Sequence, residues 1–167
     1  MATIKGLHHN AYRCRDSEET RAFYEDFLGL PLDIAFELEA SLTGRDIRAL
    51  HSFYRMADDS FLAFFEVPDM EFEFRDHHDF DLHIALEVEM DELHRMFEKG
   101  KAEGREVRGI SDHHFVHSIY FRDPNGYVVE LTARTEVADS YEKDAKDAAH
   151  DALKQWQSSK PKARYAA

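Results

Sequence analysis

Side chains able to hold a metal recur at corresponding points in two halves of this chain. His9 lies in the strand-like run 7–15 and is followed fourteen residues later by Phe23; His83 lies in the alternating run 81–89 and is followed fourteen residues later by Phe97. Each half then finishes on a strand-like run with a carboxylate, Glu66 in 60–67 and Glu130 in 127–131. Alternation along a strand sets which side chains share a face. His9, Ala11 and Arg13 share one, and His8, Asn10 and Tyr12 the other, so only one of the two adjacent histidines can point inward. Leu82, Ile84, Leu86 and Val88 likewise oppose His83 and Ala85. Imidazole and carboxylate together suit Zn, Fe(II), Mn, Ni or Co, and two histidines plus one carboxylate with open positions is the arrangement of non-haem Fe(II) oxygenases. The expectation is a divalent metal held by His9, His83, Glu130 and Glu66. The repetition carries that expectation, since chance does not put His and Glu at matching points of two copies.

The elements that must position these residues read as β-α-β-β-β, twice. In the first copy Asp16 caps a helix over 16–28, acids occupy its first turn, Phe23, Phe27 and Leu28 recur at helical spacing, and Gly29 ends it. Residues 31–38 are extended, 41–48 a polar loop, 49–55 and 60–67 strands, and 68–81 a charged linker. The second copy has a strand at 81–89, a helix at 91–103 closed by Gly104, an extended stretch at 106–109, and a loop at 110–117 holding His113, His114 and His117. A hairpin follows over 118–132, turned by Asp123-Pro-Asn-Gly126. Beyond Arg134, Val137, Tyr141, Ala145, Ala148, Ala152 and Trp156 recur at spacings of four and three, which predicts an amphipathic helix over 135–157 that covers the sheet or meets a subunit. Residues 158–167 read as a fraying tail. The whole is an α+β chain with one domain over 1–134, modules at about 4–67 and 81–134, and an appended helix.

Composition narrows the partners. A net charge of -13 disfavours nucleic acid and anionic membrane surfaces, which need clustered Lys and Arg, and favours a cation. The single cysteine, Cys14, leaves no intrachain disulfide or thiolate cluster. With no charged-then-apolar leader and no apolar run near ~18 residues, the chain reads as cytoplasmic.

The stretches Gly6-Leu-His-His9, Phe23-Tyr-Glu-Asp-Phe-Leu-Gly-Leu-Pro-Leu32, Leu82-His-Ile-Ala-Leu86 and Ser118 to Leu131 resemble the vicinal oxygen chelate superfamily, over roughly residues 4–134. That group includes glyoxalase I, extradiol ring-cleaving dioxygenases, and fosfomycin- and bleomycin-resistance proteins. The resemblance implies paired βαβββ modules whose sheets curl around a metal that a small substrate chelates through two neighbouring oxygens. It puts His9, His83 and Glu130 on the three shared ligand positions, leaves out His8, and sets Glu66 where glyoxalase I enzymes carry a fourth ligand. Tyr120 matches a substrate-contacting tyrosine of extradiol dioxygenases that fosfomycin-resistance enzymes also carry. His113 or His114 falls in the segment where ring-cleaving enzymes keep an acid/base histidine. The implied activity is an extradiol-type dioxygenase with Fe(II) favoured, the alternative a glyoxalase-like isomerase or lyase, and the third reading a small-molecule binding or resistance protein without turnover. A homodimer with sites shared between subunits is also implied.

Overall fold

The structure is a computed structural model that describes residues 3–40, 46–76, 78 and 80–161. Most of the predicted polar loop (41–45), His77 and the end of the tail (162–167) lie outside the described residues. Element order follows the repeat: β1 (Tyr12–Cys14), α1 (Ser17–Arg21) running into a π-helical segment (Ala22–Phe27), β2 (Leu32–Ala40), β3 (Asp46–Arg55) and β4 (Phe61–Glu66). After the linker come β5 (His83–Glu87), α2 (Met90–Ala102), β6 (Val107–Asp112), β7 (Val116–Arg122), β8 (Val128–Arg134) and α3 (Ala138–Ser159). They form two four-stranded mixed sheets, ordered β1-β4-β3-β2 and β5-β8-β7-β6, in which the first strand of each module runs parallel to the last.

Capping chemistry fixes both ends of the first helical segment and the end of the second. The Asp16 carboxylate accepts from Glu19 N at 2.8 Å, while Gly29 and Gly104 end their helices at φ +85 and +68, where a side chain is strained. The predicted loop at 110–117 is shorter than expected, because β6 continues to Asp112 and β7 begins at Val116. Histidines have no strong strand signature, and the cross-strand pairs Asp112 with His117 and Ser111 with Ser118 extend the ladder through them.

One core joins the modules. Phe23, Tyr24 and Phe27 of the first helix pack with Leu62 and Phe64 of β4, and with Leu93, Met96, Ile119, Phe121, Val129 and Leu131 of the second module. Both sheets therefore bury their helix-side faces in the same interior. The Asp123 turn locks this contact. Asp123 accepts from Tyr24 Oη (3.1 Å), Asn125 N (2.9 Å), Asn125 Nδ2 (3.0 Å) and Tyr127 N (2.8 Å), and Asn125 also meets Thr20 and Arg15 N of the first module. Burial raises the Asp123 carboxyl above its usual range, and burial beside that carboxylate pushes the Tyr24 phenol well above its own.

The opposite sheet faces are not covered by these helices. The two sheets do not close into one barrel within the chain. Nor does α3 cover a sheet as one of the sequence-based expectations had it: all its residues after Ala138 are exposed.

Candidate metal centre

Pair by pair, register assigns each candidate to a face. In the second module His83 lies opposite Val128, Ala85 opposite Glu130, and Glu130 opposite Tyr120. Directly paired residues share a face. His83, Glu130 and Tyr120 thus stand together on the face turned away from the helices. Their side chains meet: His83 Nε2 is 3.3 Å from Glu130 Oε2, Tyr120 Oη donates to Glu130 Oε1 at 3.3 Å, and His113 Nε2 is 2.9 Å from Tyr120 Oη. Glu130 is 8% exposed and His83 opens to solvent, so a carboxylate anchored in the sheet sits beneath an accessible imidazole. Arg108, across from Tyr120 on β6, lays its guanidinium 5.2 Å from that ring.

His113 comes from the loop 113–115 and closes this series. His114 does not join it. Its φ is +75, its amide donates to Asp112 Oδ1 at 2.6 Å, and its ring lies 5.9 Å from that of Tyr141. Adjacent residues on a tight loop cannot both turn toward the sheet.

His9 belongs to the other sheet. It bridges to Phe61, on the face opposite the helices, with its ring 5.4 Å from Phe53 and 6.2 Å from His51. His8 and His9 touch through their Nδ1 atoms at 2.8 Å. His51 carries no motif, so pattern reading passes over it. It is buried, stacks on Phe65 at 3.7 Å, meets Phe64 O through Nδ1 at 3.0 Å, and is held below the usual imidazole range by burial. With Phe36, Phe53, Phe61 and Phe65 it makes a largely aromatic wall.

Glu66 departs from the expectation that it mirrors Glu130. The His83 partner is Val128 and Glu130 lies two residues beyond it; the His9 partner is Phe61, so the mirror of Glu130 is Ala63. Glu66 is three residues further, an odd step that turns it to the helix side. There its Oε2 accepts the Ser17 amide at 2.7 Å, at the start of α1. An acid in this position serves the helix N-terminus.

The donor set suits a divalent cation, since an imidazole nitrogen and a carboxylate oxygen converge on one accessible face. Among the described residues of the single chain, however, no three His, Cys, Asp or Glu side chains gather. His9 stands on one sheet, His83 and Glu130 on the other. Cys14 is buried, and burial pushes its thiol up to about 11. Among the described residues no helix is long and apolar enough to cross a membrane.

Two βαβββ modules on one plan, each with its first strand parallel to its last, define the class of fold. The chain belongs to the Glyoxalase/Bleomycin resistance protein/Dioxygenase superfamily, whose profile matches residues 6–131. Its fold is similar to that of the fosfomycin resistance protein FosX from Listeria monocytogenes, solved with Mn(II) and sulfate (22% identity, TM-score 0.60, 82% of this chain and 98% of that one). It is also similar to a glyoxalase/dioxygenase from Nostoc punctiforme (21% identity, TM-score 0.61, 80% and 94%). A third likeness is the glyoxylase/bleomycin resistance protein/dioxygenase domain from Frankia sp. EAN1pec (16% identity, TM-score 0.63, 80% and 95%). No curated protein matches.

Proposed function

We propose that this chain is a divalent-metal enzyme of extradiol ring-cleaving type, acting on a small aromatic molecule with two neighbouring oxygens. The observation that carries this reading is the connected series His83, Glu130, Tyr120 and His113 on one sheet face. His83 and Glu130, with His9, would hold the ion, Fe(II) first and Mn, Zn, Ni or Co as alternatives. Once bound, it supplies Lewis acidity and open positions for the two substrate oxygens. The residues of the chain do the rest. Tyr120, whose Oη lies 2.9 Å from His113 Nε2, orients a substrate hydroxyl through a hydrogen bond, and the His113 imidazole takes that hydroxyl's proton. The wall of Phe36, His51, Phe53 and Phe65 presents flat apolar surface to a ring.

The site is completed between two subunits of a homodimer. His9 precedes β1 and His83 opens β5, and each of these strands is the outer strand of its sheet. Bringing β1 of one chain beside β5 of another joins the two faces and the three ligands, which a chain folded helix-face to helix-face does not do alone. The glyoxalase alternative loses support, because Ala63 occupies the position where it requires a fourth ligand.

Elemental analysis of protein purified without oxygen, followed by oxygen uptake with a catechol panel, tests the reading. Stoichiometric iron and catechol-dependent uptake are expected, with metal lost in both His83→Ala and Glu130→Ala. Retention of metal by either variant, or no uptake with iron bound, would overturn it.

A further inference from the structure

The helix α3 lies outside the matched family region, yet its first turn grips the loop that carries His113. Tyr141 stacks on Phe115 with ring centroids 4.6 Å apart and planes at 5°, and its edge meets the His114 ring. Thr135, just before the helix, donates its amide to Phe115 O at 3.0 Å and its hydroxyl to His114 O at 2.9 Å. Arg134 ties the helix start down through Asp139 (2.8 Å) and Glu142 (2.7 Å). The loop itself is short, passes through a left-handed residue at His114, and is closed by His113 N to Val116 O at 3.0 Å. A non-glycine residue in that region costs energy and persists only where neighbours hold it.

We propose, resting on the reading above, that Tyr141 is a positioning residue: by stacking on Phe115 it holds the 113–115 loop so that His113 reaches Tyr120. The path is continuous in contacts, from Tyr141 to Phe115, through the loop to His113, then to Tyr120 and Glu130. Further along α3, Leu153 and Trp156 are 56% and 58% exposed, so the clamp is confined to the first turns.

Amide hydrogen exchange on the full-length protein tests this directly at His113 and Thr135. Exchange about tenfold faster in Tyr141→Ala is expected from loss of one aromatic stack, with Tyr141→Phe unchanged because the ring remains. Trp156→Ala, on the same helix, should leave both amides as they are. Unchanged exchange in Tyr141→Ala, or equal acceleration in Trp156→Ala, would overturn the proposal. On the metal-loaded enzyme, Tyr141→Ala should lower kcat, leave metal content intact, and add no further loss in a His113→Ala background; additive losses would count against it. Exchange is read whether or not catechol is turned over, so failure of the ring-cleaving reading leaves the clamp separately decided.

Discussion

Two carboxylates that look equivalent in sequence do different work because of one odd step in register. Glu130 faces His83; Glu66 faces the start of α1. Glu66→Ala should therefore leave metal content unchanged while costing about 1 kcal/mol of stability, the usual scale for a lost helix-terminus acceptor. Elemental analysis and urea unfolding read the two separately, and loss of metal would restore Glu66 as a ligand. Asp123 gives a pH signature. Its carboxyl is raised by burial, so between its ordinary value of 3.8 and the raised one the folded state holds more proton than the unfolded state. Stability from this group is then full at low pH and falls as pH rises through the raised value. Asp123→Asn cannot titrate, so the stability difference between wild type and variant should decline with rising pH and then level off. A difference independent of pH would show that the carboxyl titrates normally.

Among the elements, α2 is fitted to its sheet through a missing side chain. A Cβ at Gly100 would meet Phe121 Cε1 at 2.6 Å, and Phe121 is only 2% exposed, so the ring has little room to move. Alanine gains about 1 kcal/mol in helix propensity, but overpacking a filled core costs about 1–3 kcal/mol. The clash should win, and Gly100→Ala should lower the melting temperature; a rise would mean that the ring yields. Pattern reading found the helices, their caps and most strands, since these rest on local periodicity and on Asp16, Gly29 and Gly104. It stopped short at β6 and β7, where Asp112 and His117 are held in the ladder by their cross-strand partners and not by their own preferences.

For the whole molecule, the back-to-back core of two modules separates His9 from His83 and Glu130 onto outward faces, and the proposed dimer rejoins them. Mixing His9→Ala with His83→Ala chains tests this. Random exchange makes half the dimers mixed, and each mixed dimer has one intact site. About a quarter of the wild-type sites should return in such an isologous pair, read as bound metal after refolding the mixture. A site closed within one chain returns none.

The sequence by itself determined the repeat, the superfamily, the helix ends and the identity of His9, His83 and Glu130 as candidates, because these depend on residue type and short-range spacing. Tertiary structure decided which face Glu66 takes, that His113 and not His114 meets Tyr120, that His51 lines an aromatic wall, and that Asp123 locks two modules together. The faces of Glu66 and His51 depend on pairing between strands, where a shift of one residue reverses every side chain, while the His113 and Asp123 contacts depend on a left-handed turn at His114 and on a turn meeting the first helix across the modules.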